Sequence, residues 1–274
     1  MRDRLPAVAG RFYPGEAGAL RRAVSELLAE ATPAAEAHPV LGMVAPHAGY
    51  VYSGGVAGAV FARARIPDCV VVMGPNHTGM GPRASLRARG DWLTPGARVP
   101  VDEPVCDAVL KAARGLVEAD ERAHQYEHAL EVELPLLHAR NPSLRIVPIT
   151  LGPLDLDACR RLGQVLADCL PEGALVVASS DMNHYLPDDV TRKRDRMAID
   201  PMLAREPAAL FEVVVREDLS MCGFIPATIM LEFANARAAR QAELVRYATS
   251  GEAFGDYERV VGYAGIAVTA QPSS

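Results

Sequence analysis

Residues 70–79 read V-V-V-M-G-P-N-H-T-G. Apolar, mostly β-branched residues closed off by Gly74 and Pro75 spell a strand buried on both faces that stops abruptly and hands His77 to a loop. The chain uses the same device twice more. Residues 41–46, L-G-M-V-A-P, deliver His47, and residues 174–178, A-L-V-V-A, deliver Ser179, Ser180, Asp181 and His184. Three buried strands that each end in a metal-capable or proton-transferring side chain point to the edge at which open α/β sheets place their ligands.

The segments between these strands carry helical patterns. Apolar residues at Leu20, Val24, Leu27 and Leu28 predict a helix over 17–31, and a small-residue helix follows His47 over about 56–65. Asp102 can cap a helix over about 104–114. Residues 127–139 read as a helix with Leu130, Leu134 and Leu137 on one face, kinked at Pro135. Further helices are expected over 156–170, 192–203, 207–216 and 226–238, and further strands over 116–119, 145–151, 244–248 and 260–269. The Gly/Pro/Arg-rich stretch 79–100 suggests a hairpin between 85–88 and 92–94, and the Ala-rich run 31–37 a short connection. Alternating strands and helices imply an α/β fold, a three-layer α/β/α sandwich with a mostly parallel or mixed central sheet. No Ser/Gly-rich or Pro-rich linker divides residues 1–274, so a single domain is expected.

Composition removes several classes of function. A net charge of −6 with no basic cluster argues against a nucleic-acid or anionic-membrane surface. The longest apolar runs fall far short of a bilayer span, and the start, M-R-D-R-L-P, lacks a signal-peptide core, so a cytoplasmic location is expected. The five cysteines form an odd set with no C-x-x-C, which speaks against both a disulfide framework and a zinc ribbon.

His47 and His77 each follow a buried strand and precede a nearby glycine. Singly each would be read as structural; two at one sheet edge turn the reading toward a metal site, since imidazole suits iron, copper and zinc alike. Asp181 and His184 lie three apart, so the carboxylate could orient the imidazole as a general base; S-S-D could equally cap a helix. Cys69, Cys106, Cys159 and Cys169 fall in strand or helix patterns and read as buried hydrophobes. Cys222 instead occupies a loop beside Gly223, ahead of a helix N-terminus that favours a thiolate, although an inert thiol fits as well. A His, His, Cys set would leave positions open on a metal, whereas a Cys, His, Asp set without metal would be a thiol hydrolase. His128 and Glu131 project about one turn apart and are candidates to line the pocket. Tyr50 and Tyr52 are candidates for substrate contact, with aromatic packing the plainer role.

Together these segments resemble the Memo family, also called AmmeMemoRadiSam system protein B, through A-G-R-F-Y-P-G at 9–15, A-P-H-A-G-Y at 45–50, G-P-N-H at 74–77, E-H-A-L-E-V-E-L-P at 127–135, S-S-D-M-N-H at 179–184 and C-G-F-I-P at 222–226. The resemblance implies a fold shared with LigB-type class III extradiol dioxygenases. It also implies a metal pocket of His47, His77 and Cys222 with Asp181 and His184 beside it, iron or copper as the metal, and a redox role. Where those dioxygenases carry a carboxylate as third ligand, a cysteine stands here; a thiolate favours thiophilic metals and sets the site apart from catechol cleavage. The system name implies a radical SAM protein and another protein of the same system as partners. This chain, lacking C-x-x-x-C-x-x-C, is not itself the radical enzyme.

The resulting expectation is a metal-dependent, oxidoreductase-like protein, a non-haem iron enzyme if it is an enzyme. His47, His77 and Cys222 would hold Fe(II), with copper as the alternative. His184 would serve as acid/base, Asp181 would orient it or a water, and His128 and Tyr50 would contact a small-molecule or peptide substrate. The same residues admit a non-catalytic binding protein, and a metal-free cysteine hydrolase using Cys222, His184 and Asp181.

Overall fold

The computed structural model describes residues 3–29 and 38–270. The connection expected at 31–37 lies outside the described residues. Nine strands form the central sheet: β1 (Gly42–Ala45), β2 (Cys69–Pro75), β3 (Ala84–Leu86), β4 (Glu118–Ala119), β5 (Arg145–Leu151), β6 (Leu175–Ser179), β7 (His184–Leu186), β8 (Gln241–Thr249) and β9 (Val260–Thr269). The centre is parallel, in the spatial order β1, β6, β2, β5. Antiparallel strands flank it, with β9 against β1 and β3 against β5. β9 also pairs with β7 and β8, and β4 pairs with β3. The sheet is therefore mixed around a parallel core.

The parallel strands are predominantly apolar because both of their faces are covered. Every residue of β2 and of β6 is buried, as parallel strands under helices on two sides require. On one face lie α1 (Ala17–Ala29), α2 (Tyr50–Arg63) and α4 (Leu134–Arg140). On the other, α3 (Glu103–Ala112) packs on α5 (Leu156–Cys169), α5 on α8 (Phe224–Ala236), and α8 on α7 (Pro207–Arg216). α6 (Asp188–Ala204) joins α7 to β8 and β9. This is a three-layer sandwich. Among the described residues no helix is long and apolar enough to cross a membrane.

Asp102 caps α3 by accepting the N–H of Val105 at 3.3 Å, and Asp155 caps α5 by accepting that of Ala158 at 2.8 Å. Three local expectations are corrected. Residues 127–139 are not one helix: 127–130 are irregular, Glu131–Glu133 form a 3₁₀ turn, and α4 begins at Leu134 with Pro135 in its first turn, where proline fits without a kink. The cause is that Glu127 turns its carboxylate back on the N–H groups of His128 and Ala129. The expected hairpin splits: β3 belongs to the central sheet, while Trp92–Thr94 pairs with Ala97–Val99 across Gly96, whose φ of +84° suits glycine. The helix cap considered for Asp181 gives way to the short strand β7.

His124 shows what burial does to a histidine that serves only the fold. Its ring is fully buried, with Nε2 donating to the Ser85 carbonyl at 3.1 Å and Nδ1 facing Thr150 Oγ1 at 2.9 Å. Burial pushes its pKa down to about 3. The unfolded chain protonates this ring near pH 6.5, the folded chain only near pH 3, so the stability it confers is complete above about 6.5 and is lost as pH falls toward 3. His124→Gln should unfold more easily at pH 7, by about 1–3 kcal/mol from the unpaired partners. Its urea midpoint, measured from pH 7 to pH 4, should fall less steeply than that of the wild type; parallel slopes would refute this assignment.

Candidate metal centre

The three neighbouring strands β1, β6 and β2 all end at one edge, and the chemistry gathers just beyond their last residues. Pro46 follows β1 and presents His47; β6 ends at Ser179 and runs on to Asp181; Asn76 follows β2 and presents His77. The irregular segment 127–130 crosses this edge closely enough that a Cβ on Gly74 would sit 2.6 Å from Leu130 and 2.9 Å from Ala129. That crossing brings in His128. One ring nitrogen from each of His47, His77 and His128 lies within 4.8 Å of the others. The rings of His77 and His128 stack at 4.7 Å, and His47 stands edge-on to both at 5.3 and 5.4 Å.

Two of the three rings are held through Nδ1. That of His47 meets Ser179 Oγ at 2.8 Å, and that of His77 meets Glu127 Oε1 at 2.9 Å. Holding Nδ1 leaves Nε2 as the free donor and fixes the ring, as the partner of a metal-binding histidine does. Glu127 also accepts the backbone N–H of His77 at 2.6 Å, of His128 at 2.8 Å and of Ala129 at 3.0 Å. Burial alone would raise this carboxylate, but the His77 ring and the N–H donors outweigh it and hold it down near 2. Burial would likewise depress His77, and the hydrogen bond and charge of Glu127 reverse that and raise it. His47 is driven well below the histidine range by burial and then by its two histidine neighbours, so it is neutral and able to donate a lone pair. Burial lowers His128 as well.

Cys222, from the loop ahead of α8, places Sγ 3.4 Å from His47 Nε2. The N–H of Asp181 donates to the same sulfur at 3.3 Å. Contrary to the thiolate expected at a helix N-terminus, burial and then the nearby Asp181 push this thiol up. Asp181 accepts the backbone N–H of His47 at 2.9 Å, and burial raises its pKa against that bond. His184 is oriented by Ser220 instead of by Asp181: Nδ1 donates to the Ser220 carbonyl at 2.9 Å, while the His184 N–H donates to Ser220 Oγ at 2.9 Å. Nε2 is thereby left as the acceptor. Behind this turn, buried Asp195 accepts from the Asn183 side chain at 2.6 Å and from the Tyr247 hydroxyl at 2.7 Å.

His128, Asp181 and His184 line a cavity of about 580 Å³, walled by aromatic side chains that include Phe12, Tyr52 and Tyr263, a size within the usual range for small-molecule sites. Tyr50 is elsewhere: it is buried at the start of α2 with its hydroxyl on the Val132 carbonyl at 2.9 Å. Glu131 also points away from the cavity. It receives Arg4, the N–H groups of Ala7 and Val8, and the Tyr13 hydroxyl, tying the N-terminal segment beneath the site. Phe12 of that segment packs on His128 at 4.8 Å.

A family model described as "Memo-like protein" matches residues 4–267. The chain belongs to the Memo family. A MEMO1 family protein of Methanopyrus kandleri is 38% identical over 96% of this chain and 98% of its own length, and one of Aquifex aeolicus is 39% identical over 97% and 99%. An uncharacterized protein from Escherichia coli of solved structure aligns with a TM-score of 0.58 at 12% identity, covering 83% of this chain and 99% of that one, a likeness of fold alone. The Memo segments quoted from the sequence supply nearly every side chain of the centre. The residues that sequence reasoning left without a role are Glu127 and Glu133, which lay inside an apparent helix, and Ser220, which has no pattern around it.

Gly223 controls how closely the Cys222 loop approaches β6. A Cβ there would lie 2.3 Å from the Ser179 carbonyl oxygen and 2.4 Å from Ser180 Cβ, and the Gly223 N–H donates to Ser180 Oγ at 2.9 Å. Gly223→Ala should destabilise the protein by about 1–3 kcal/mol and push the loop outward. Iodoacetamide should then modify Cys222 faster than in the wild type, with Cys222→Ala as the background; an unchanged rate would show that the loop accommodates the methyl without moving.

Proposed function

We propose that this Memo protein is a metal-dependent, oxidoreductase-like protein whose ion is held by His47, His77 and His128, with the Cys222 sulfur as an additional donor beside His47. The observation that carries the reading is the convergence of three imidazole nitrogens within 4.8 Å, two of the rings being fixed through Nδ1. The donor set fits a transition metal. The imidazoles of His47 and His128 are kept neutral by burial, and a carboxylate held near 2 backs His77. Iron(II) is the ion we favour, on the resemblance drawn from the sequence, with copper second because a sulfur beside imidazole suits it. Such an ion would supply redox or Lewis-acid chemistry at the head of the cavity.

The chain's own residues define the rest. The aromatic side chains of the wall offer apolar surface for a bound small molecule to pack against, and His128 stands at the boundary between centre and cavity. His184 Nε2, left as the acceptor by the Ser220 bond, takes or returns a proton of that molecule. Asp181 holds the His47 backbone while facing the same space. The metal-free hydrolase is the weaker reading, because a nucleophilic cysteine needs a lowered pKa and burial pushes this one up.

Anaerobic purification followed by metal analysis tests the proposal. Wild-type protein should carry iron or copper, and His47→Ala, His77→Ala and His128→Ala should each weaken metal affinity beyond the about 10- to 100-fold that loss of an outer partner costs. Cys222→Ser should retain part of it. Wild-type protein that binds neither metal, or histidine variants that bind as well as wild type, would end the proposal.

A further inference from the structure

Glu133 is fully buried at the end of the 3₁₀ turn, and one of its carboxylate oxygens, Oε2, has no hydrogen-bond partner. Its other oxygen, Oε1, lies 2.7 Å from Ser179 Oγ. The charge that faces it is the like charge of Asp181, and the nearby Tyr50 phenol is committed to the Val132 carbonyl. An ionised carboxylate would have to endure there with a bare oxygen and, among the described residues, no cationic side chain against it, a costly arrangement for a buried group.

Proton bookkeeping at Ser179 leads to the same conclusion independently. Its Oγ has three partners: the Ala129 carbonyl at 2.8 Å, Glu133 Oε1 at 2.7 Å and His47 Nδ1 at 2.8 Å. A serine hydroxyl offers one proton and two lone pairs. The Ala129 carbonyl can only accept; it keeps the serine proton when Glu133 is neutral, whereas an ionised Glu133 would compete for that proton and leave the carbonyl without that donor. The other two partners must then both donate to Ser179: Glu133 through a protonated Oε1 and His47 through Nδ1–H. With these assignments every site on Oγ is used once.

We propose that Glu133 is a positioning residue that, as a neutral carboxylic acid, donates to Ser179 and so commits the serine to accept from His47 Nδ1–H, which turns the Nε2 lone pair toward His77 and His128. Burial raises the Glu133 pKa well above the usual carboxylate range, in keeping with this. Glu133 touches neither the donor cluster nor the cavity; it acts through Ser179. The role rests on the metal-centre reading for its purpose, but the proton arrangement does not need a metal to be seen.

The test therefore has two arms. In metal-free wild-type protein, ¹⁵N NMR of His47 should report the Nδ1–H tautomer, and ¹³C NMR of the Glu133 carboxyl should report the protonated form at pH 7. Glu133→Gln, whose amide N–H can donate to the same oxygen, should keep that tautomer and bind Zn(II), a redox-silent probe, as wild type does. Glu133→Ala and Ser179→Ala should lose tautomer uniformity, and Ser179→Ala should weaken Zn(II) binding about 10- to 100-fold. An ionised Glu133 carboxyl, an Nε2–H tautomer, or a Glu133→Gln variant as impaired as Glu133→Ala would each overturn the proposal. If wild type binds neither iron, copper nor Zn(II) while the NMR signatures hold, the metal reading fails and the Glu133 assignment stands. The wild-type and Glu133→Gln spectra decide the matter even where the alanine variants fail to fold.

Discussion

A backbone that crosses the end of a sheet away from water must find partners for its own N–H groups, and the crossing segment 127–130 finds them in the side chain that begins it. Glu127 gathers three backbone N–H groups and one imidazole on a single carboxylate. Because one of those N–H groups and the ring belong to His77, and another to His128, the bond that satisfies the crossing also sets the two stacked imidazoles against each other. Were the segment helical, as its apolar spacing suggests, its N–H groups would turn to the preceding carbonyls and His128 would leave the edge of the sheet. The Gly74 position shows how close the crossing runs, since no side chain larger than hydrogen fits between β2 and residues 129–130.

The strands that carry the centre were legible because their signal is local. An apolar run that stops abruptly, at Gly-Pro, Ala-Pro or Ser-Ser, reads as a buried strand without knowledge of its neighbours, and His47, His77 and Asp181 could be placed at one edge from that alone. Residues 127–139 were misread because periodicity cannot distinguish a helix from a turn whose glutamates bind the backbone. Glu127, Glu131 and Glu133 look alike in E-H-A-L-E-V-E-L-P. The ring that brings His128 to the cluster, the sulfur that Cys222 brings to within 3.4 Å of His47 across 175 residues, and the Arg4 clamp on Glu131 are contacts of high sequence separation, and no local pattern encodes them. Tyr50 and Tyr52 are two apart in the chain and alike in chemistry; one is buried on the Val132 carbonyl and the other lines the cavity, because helix α2 points them in different directions.

The three glutamates of that segment show how one residue type is sorted by its donors. Glu127 meets N–H groups and an imidazole, and stays charged although buried. Glu131 meets a guanidinium, two N–H groups and a phenol, and anchors the N-terminal segment whose Phe12 backs His128. Glu133 meets one hydroxyl, and among the described residues its second oxygen has no hydrogen-bond partner. All three side chains are buried, so what separates them is the number and kind of donors within reach.

That sorting has a consequence for the centre. A negative Glu127 behind His77 strengthens that ring as a donor and favours a cation at the cluster. A negative Glu133 behind Ser179 would instead draw the serine proton to itself, leave the Ala129 carbonyl without its Ser179 donor, and set a second buried negative charge against Asp181. The two carboxyl groups therefore support neighbouring histidines from opposite protonation states. The charged one acts by direct contact and the neutral one by relay through a hydroxyl that has no proton to spare.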